Sequence, residues 1–283
     1  MKSVTDFHWR ADPHCPALEL WPEELGGGSL GFRPFIELYL CPGEMVRSMI
    51  LIAPGGGYQR LRDAMIIEGH DVALKMNEYG FHAAVLKYRT FPSEFPAPLR
   101  DIVRALKILR GNAARWKTNP DQLAVAGFSA GGHLAACSGV LYDTLKVSAG
   151  DEYDSVSARP DALLLGYAVL NQTGKILENI AGTMPEINEP NFLARNIPPS
   201  MPPVFLHHAQ DDDIIPVSQS LEFSEALKEK SIPCELHTFE TGGHAYGIGS
   251  HQPTTRNWHT FAETWLNSLG FTSSSKSLQG MAR

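Results

Sequence analysis

Short apolar runs alternate with helix-like patterns along most of the chain. Continuous apolar stretches of strand length are typical of buried parallel strands, whereas apolar residues three and four apart indicate a helix covering a sheet. The segments that read as strands are 35–41, 48–53, 81–88, 123–126, 162–170, 204–208 and 234–239. The segments that read as helices are 68–79, 99–116, 130–140, 218–230 and 254–269.

This alternation predicts an α/β fold with one mostly parallel, doubly wound sheet and helices on both faces. We expect a single domain over residues 35–270, because no repeat and no break in composition divides it. Residues 1–34, rich in Pro, Gly and Trp, are expected to form an irregular extension, and residues 271–283 a flexible tail. The connection 171–203 contains no predicted strand, and we expect it to lie over a site as a small cap.

One stretch has the pattern of a catalytic turn. Residues 127–131 read G-x-S-x-G and lie between the apolar run Leu123–Ala126 and a helix-tolerant run that starts at Ala130. A strand, a tight turn and a helix in this order form a nucleophile elbow, which exposes the serine hydroxyl above the sheet. Glycines flank the turn because larger side chains would collide with neighbouring backbone. Ser129 is therefore the candidate nucleophile, and the N–H of Ala130 is a candidate oxyanion donor.

A serine nucleophile needs a base and an orienting carboxylate, which follow an elbow in the order Asp or Glu, then His. Two later loops fit this order. Residues 204–208 run into three aspartates at 211–213, and residues 234–239 run into Gly242-Gly243-His244. Both loops follow strands, and the carboxyl ends of parallel strands are where sites form in such sheets.

The motifs PGGGY, LKYR, FPAPLRD, GFSAGGHLA, DDDIIPV and FETGGHAYG occur here in one order. Over residues 35–270 the chain thereby resembles the bacterial α/β-hydrolase esterases, in particular the acetyl-xylan-esterase-like and related carbohydrate esterases. The resemblance implies that Ser129 is the nucleophile and His244 the base. It also implies that Asp212 is the triad carboxylate, with Asp211 as the alternative.

The resemblance further implies that Gly56 and Gly57 supply oxyanion-hole amides together with Ala130. Pro54 stands where many such esterases have histidine, which removes no backbone donor. Tyr58 either lines the acyl or alcohol pocket or is an aromatic buried beneath the loop; both interpretations stay open.

Composition narrows the class of protein. The net charge of −7 and the scattered Lys and Arg argue against nucleic acid or an anionic membrane as a partner. No apolar run is long enough for a membrane span or a signal peptide, so we expect a cytoplasmic protein. His207 and His208 would point to opposite faces of a strand and cannot share one ion, and no H-E-x-x-H occurs. We therefore expect neither a metal nor a cofactor.

The sequence accordingly predicts a serine esterase that hydrolyses small acyl esters by way of an acyl-enzyme. Acetyl esters are the first expectation, and esters of sugars are one class of substrate that we consider. Two alternatives remain open: a peptidase or acyltransferase on the same fold, and a catalytically silent binding protein.

Overall fold

A computed structural model describes residues 14–22, 25, 32–61, 64–171, 182–249 and 253–271. It contains one eight-stranded sheet with the order β1-β2-β4-β3-β5-β6-β7-β8, in which β2 runs antiparallel to both of its neighbours, β1 and β4, and the other neighbouring pairs are parallel. This is the predicted mostly parallel α/β sheet. The strands are Ala17–Glu19 (β1), Phe35–Tyr39 (β2), Arg47–Ala53 (β3), His82–Lys87 (β4), Thr118–Phe128 (β5), Ala162–Gly166 (β6), Val204–Ala209 (β7) and Cys234–Phe239 (β8).

Helices connect the parallel strands. Strands β4, β6 and β7 are buried at every position, so both faces of the sheet are covered. No helix in the ranges given above is long and apolar enough to cross a membrane. A π-helical segment, Met65–His70, leads into the first α-helix. The α-helices are Asp71–Glu78 (α1), Ala97–Gly111 (α2), Ala113–Trp116 (α3), Ala130–Val140 (α4), Phe192–Arg195 (α5), Ser218–Glu229 (α6) and Trp258–Ser268 (α7).

Part of the N-terminal segment, residues 14–22, is held against the sheet. Within residues 1–34, expected to be irregular, β1 pairs with β2, and Trp21 is 5% exposed. The Trp21 Nε1–H donates to Asp101 Oδ1 at 2.8 Å, and the same carboxylate pairs with Arg89 at 2.6 Å. Because β1 lies along its edge, β2 is buried at all five positions.

Two other predicted boundaries can be compared with the structure in part. Phe271, assigned to the flexible tail, is 4% exposed and belongs to the core; residues 272–283 lie outside the described residues. In the predicted cap, 172–181 also lie outside them, and the remainder holds a short 3₁₀ helix, Pro185–Asn188, and α5. Thr183 N–H donates to Phe95 O at 3.1 Å, which attaches this connection to the loop before α2. Its role as a cap stays a prediction.

Tyr58 is a core residue. Its side chain is 0% exposed, and its hydroxyl lies 2.7 Å from His133 Nδ1. The ring packs edge-on against Tyr88 and Phe95. This is the second of the two interpretations of Tyr58, an aromatic buried beneath the loop, and its interpretation as a pocket wall is wrong. The cause is the left-handed backbone at Tyr58 (φ 56°), which turns the side chain inward.

His133, on α4, is 1% exposed, and this burial lowers the pKa of its imidazole to about 3. The neutral ring can accept the Tyr58 hydroxyl proton at Nδ1 without a charge in the core. An unfolded histidine has a pKa near 6.5. The stability that neutral His133 contributes is therefore complete above about pH 6.5 and is lost as the pH falls from there toward 3.

We expect the free energy of unfolding to fall between pH 7 and pH 5, and the fall to be about 2 kcal/mol smaller in His133→Asn, because the variant has no imidazole to protonate. Urea denaturation at the two pH values measures both quantities. The same pH dependence in wild type and variant would contradict the assignment of a neutral, buried His133.

Candidate active site

The turn between β5 and α4 has the geometry of a nucleophile elbow. Ser129 adopts φ 52° and ψ −121°, a strained conformation for a residue with a side chain. A Cβ on Gly127 would lie 2.3 Å from the carbonyl oxygen of Gly131, and one on Gly131 would lie 2.0 Å from that of Ala53. Both glycines are thus required by close backbone approach, as the G-x-S-x-G pattern predicts.

Neighbouring backbone holds this turn in place. Ser129 N–H donates to Gly166 O at 3.0 Å, and Ser129 O accepts from the amide of Val169 at 3.2 Å. The serine is therefore tied to the end of β6 and to the loop that follows, and its side chain is 8% exposed at the carboxyl end of the sheet.

The structure brings Ser129, His244 and Asp212 into one chain of hydrogen bonds. His244 Nε2 lies 2.9 Å from Ser129 Oγ, and His244 Nδ1 lies 2.7 Å from Asp212 Oδ2. An ionised carboxylate can only accept, so Nδ1 carries the proton that it donates to Asp212. Nε2 is then the free base that can accept the Ser129 hydroxyl proton. This is the arrangement of an acyl-transfer triad.

The aspartate is held from several sides. Asp212 Oδ1 accepts the N–H groups of Ile214 at 3.0 Å and Ile215 at 2.8 Å, while Oδ2 lies 3.1 Å from His208 Nε2. Burial raises the pKa of Asp212, but the hydrogen bonds from His208, His244 and Ile215 outweigh it and leave that pKa well below its usual range. Asp212 is therefore a fixed anion beside the imidazole.

Asp211, the alternative carboxylate, has a different partner. Its Oδ1 accepts the N–H of Gly243 at 2.8 Å, so it braces the loop before His244. Of the two aspartates that the sequence left open, the structure places Asp212 against the imidazole.

The glycine loop 54–57 passes directly over the elbow. A Cβ on Gly55 would lie 3.0 Å from Ser129 Cβ and 2.9 Å from Phe128 O. Gly56 is exposed and Gly57 is partly exposed. In the described part of the chain, the amides of Gly56, Gly57 and Ala130 have no hydrogen-bond acceptor. These three amides are free to donate, and their role as oxyanion donors stays a prediction.

Sequence reasoning missed the buried residues that surround the triad. Glu68, on the π-helical segment, accepts the Gly55 N–H at 2.7 Å and the Tyr167 hydroxyl at 2.9 Å. The Tyr167 ring lies 5.1 Å from the ring of His244, centre to centre. The available signal was a single acid in the apolar run M-I-I-E-G, and helix periodicity alone does not distinguish it from a surface glutamate.

His207 and His208 point to opposite sides of β7, as expected. His207 Nδ1 lies 2.6 Å from the Tyr246 hydroxyl, whereas His208 Nδ1 lies 2.8 Å from Ser220 Oγ. Within the ranges that the structure describes, no group of three or more His, Cys, Asp or Glu side chains could hold a metal ion.

Two protein families match different parts of the chain. Residues 36–174, which include the glycine loop and the elbow, match the BD-FAE family. Residues 184–270, which include Asp212 and His244, match the prolyl oligopeptidase family. Together the two matches span the elements that contribute to the site.

Curated relatives share this region. The chain is 32% identical over 235 residues to endo-1,4-beta-xylanase B of Butyrivibrio fibrisolvens, covering 79% of this chain and 36% of that protein. It is 25% identical over 233 residues to acetylxylan esterase of Xylanibacter ruminicola, covering 78% of this chain and 44% of that protein. The chain thus spans less than half the length of these two relatives.

A solved structure matches over nearly its whole length. The acetyl ester-xyloside bifunctional hydrolase from Caldicellulosiruptor lactoaceticus superimposes with a TM-score of 0.82 and 30% identity, over 92% of this chain and 98% of that one. The sequence similarity, the fold and the arrangement of Ser129, His244 and Asp212 all point to the same family. The chain belongs to the acetyl-xylan-esterase-like α/β-hydrolases, a group of carboxylic ester hydrolases.

Proposed function

We propose that the protein is a serine esterase that uses Ser129, His244 and Asp212 as its catalytic triad and acts on small acyl esters. The observation that carries the proposal is the hydrogen-bond chain from Ser129 Oγ through His244 to Asp212, with distances of 2.9 Å and 2.7 Å. These hydrogen bonds start at the strained turn of Ser129, next to the glycine loop whose Gly56 and Gly57 amides are free to donate. The names of its relatives favour an ester over other acyl compounds.

The first step forms an acyl-enzyme. Ser129 Oγ attacks the ester carbonyl carbon, and its proton passes to His244 Nε2. The Asp212 anion, 2.7 Å from Nδ1, stabilises the imidazolium that results. The carbonyl oxygen becomes negative and accepts hydrogen bonds from the amides of Gly56, Gly57 and Ala130. The bond to the alcohol oxygen then breaks, and the imidazolium gives that oxygen its proton.

The second step reverses these roles with water. His244 Nε2 takes a proton from a water molecule, whose oxygen attacks the acyl carbon. The same amides stabilise the second oxyanion. When it collapses, the bond from carbon to Ser129 Oγ breaks, the proton returns to Oγ, and the acid leaves.

The connection between β6 and β7 favours small acyl groups. Residues 171–203 are too short to supply the long apolar lid that would cover a lipid chain. Acetylated sugars or oligosaccharides are the substrates that we propose, in line with the names acetylxylan esterase and acetyl ester-xyloside bifunctional hydrolase of two relatives.

Hydrolysis of a peptide bond is the second candidate function. It is favoured by the match of residues 184–270 to the prolyl oligopeptidase family. The same triad can cleave an amide, but an amine is a poorer leaving group than an alcohol and demands proton delivery from His244. We rank the ester first because curated relatives over most of the chain carry esterase names.

Ser129→Ala should lower the rate of p-nitrophenyl acetate hydrolysis by about three orders of magnitude or more, because the triad acts as a unit. A fluorophosphonate probe should label wild type and not the variant. A variant that kept most of its activity would remove Ser129 from the mechanism. A folded wild type that neither turns over esters nor takes the label would instead favour the silent binding protein.

Asp212→Asn should lower kcat by about three to four orders of magnitude, because an amide can hold His244 in the wrong tautomer and cannot stabilise its charge. Asp211→Asn is the matched control, one residue away, and should keep kcat within about tenfold, since it removes only the charge of the side chain that accepts the Gly243 N–H. Comparable losses in the two variants would contradict the assignment of Asp212.

Initial rates on p-nitrophenyl acetate, butyrate and octanoate should fall steeply with acyl length, because the connection 171–203 is too short to supply a long apolar lid. A p-nitroanilide of an acetylated amino acid should react more slowly than the acetate ester. Equal or faster reaction of octanoate would contradict a short acyl pocket, and faster reaction of the anilide would favour the peptidase.

A further inference from the structure

Glu68 is a buried carboxylate that the triad mechanism does not use. It is 2% exposed, although glutamate is almost never buried without a specific partner. Its Oε2 accepts the Gly55 N–H at 2.7 Å, and Gly55 directly precedes the two glycines of the oxyanion loop. A Cβ on Gly55 would lie 2.9 Å from that same oxygen. The carboxylate therefore lies directly against the loop that faces Ser129.

The other oxygen of Glu68 is linked to the histidine loop. Tyr167 donates its hydroxyl proton to Oε1 at 2.9 Å, and the same hydroxyl oxygen accepts the N–H of Gly247 at 3.1 Å. Gly247 follows His244 by three residues, and the Tyr167 ring packs edge-on against the His244 ring. One buried carboxylate thus joins the oxyanion loop to the loop that carries the base, by way of a single tyrosine.

The local backbone supports a functional role for this contact. Glu68 lies in the π-helical segment Met65–His70, and such segments are rare and often occur at functional sites. Tyr167 has φ 35°, an uncommon conformation for a residue with a side chain. The π-helical segment precedes Ser129 in the sequence and Tyr167 follows it, and the two irregular segments meet at Glu68.

Burial and hydrogen bonding act in opposite directions on the Glu68 carboxyl. Burial prevails and raises its pKa above the ordinary value, although the donors at Gly55 and Tyr167 and the proximity of His244 lower it. Both neighbours donate to it, which suits an acceptor at each oxygen.

We propose that Glu68 is a positioning residue. It fixes the oxyanion loop at Gly55 and, through Tyr167, the loop of His244, so that the oxyanion donors and the base are both correctly placed for the transition state. This inference rests on the proposed esterase function. An oxyanion hole acts through donors held at one point before the reaction, and a loosened loop therefore weakens transition-state binding more than substrate binding.

Glu68→Gln keeps the side-chain volume, removes the charge and leaves one acceptor oxygen where there were two. We expect kcat for p-nitrophenyl acetate to fall by about 10- to 100-fold, with KM changed by less than about threefold, because donor geometry matters most in the transition state. The rate of fluorophosphonate labelling should fall by a similar factor. Steady-state kinetics and labelling time courses measure the two effects.

Tyr167→Phe is the second variant, and Asp101→Asn is the matched control. Tyr167→Phe keeps the ring against His244 and breaks only the link from Glu68 to Gly247, so kcat should again fall with little change in KM. Asp101 is likewise a fully buried carboxylate, but its partners are Trp21 and Arg89, which are not part of the triad. Asp101→Asn should lower the melting temperature and leave kcat within about threefold of wild type.

These measurements separate the possible outcomes. An active wild type whose kcat is unchanged in both Glu68→Gln and Tyr167→Phe would overturn the positioning role alone. A loss of melting temperature without a loss of kcat, as in Asp101→Asn, would overturn it as well, since Glu68 would then be purely structural. A wild type that neither hydrolyses esters nor reacts with the phosphonate would overturn the esterase proposal and this inference with it.

Discussion

The close approach of three backbone segments at Ser129 is the constraint on which the rest of the site depends. Gly131 packs so near the carbonyl of Ala53 that no side chain fits, and Gly127 has the same relation to Gly131. These two close contacts let α4 start directly after β5 while it packs against the end of β3, with Ser129 held at φ 52°. The strain is tolerated because Gly166 and Val169 bind both backbone groups of the serine. The serine is thereby fixed at the carboxyl end of the sheet, where the proposed mechanism needs a nucleophile that is already oriented.

The parallel sheet brings the remaining groups to the serine. β7 and β8 lie beside each other, and each ends at the same edge as β5. The loops that follow them need only reach a short distance, so Asp212 and His244 meet although they are 32 residues apart. Each of these groups is then fixed by its own hydrogen bonds. The Asp212 carboxylate accepts from two backbone amides and contacts two imidazoles, and Glu68 accepts an amide of the glycine loop. The geometry is therefore prepared before a substrate arrives.

Charge is distributed unevenly around the triad. Asp212 stays ionised because hydrogen bonds from several donors outweigh its burial, whereas His133 and His207 are neutral because burial dominates and lowers the pKa of each. The Asp212 anion contacts the imidazoles of His208 and His244, and in the proposed mechanism it stabilises positive charge on His244. The Tyr58–His133 pair fills the space beneath the glycine loop with an uncharged hydrogen bond, so the loop rests on packed atoms.

The sequence by itself determined the α/β class, nearly every strand of the parallel sheet and the elbow, because periodicity and the G-x-S-x-G pattern are local. His244 was a candidate through the order of the loops and the resemblance to esterases. Which of Asp211 and Asp212 lies against His244 was decided only by the folded loop, since neighbouring residues of a turn point in different directions. Tertiary structure alone also decided the strand Ala17–Glu19, the inward turn of Tyr58 and the burial of Glu68. Each depends on partners far away in the chain, such as Phe35–Tyr39 for the strand and Tyr167 for the glutamate, and no local pattern encodes such a partner.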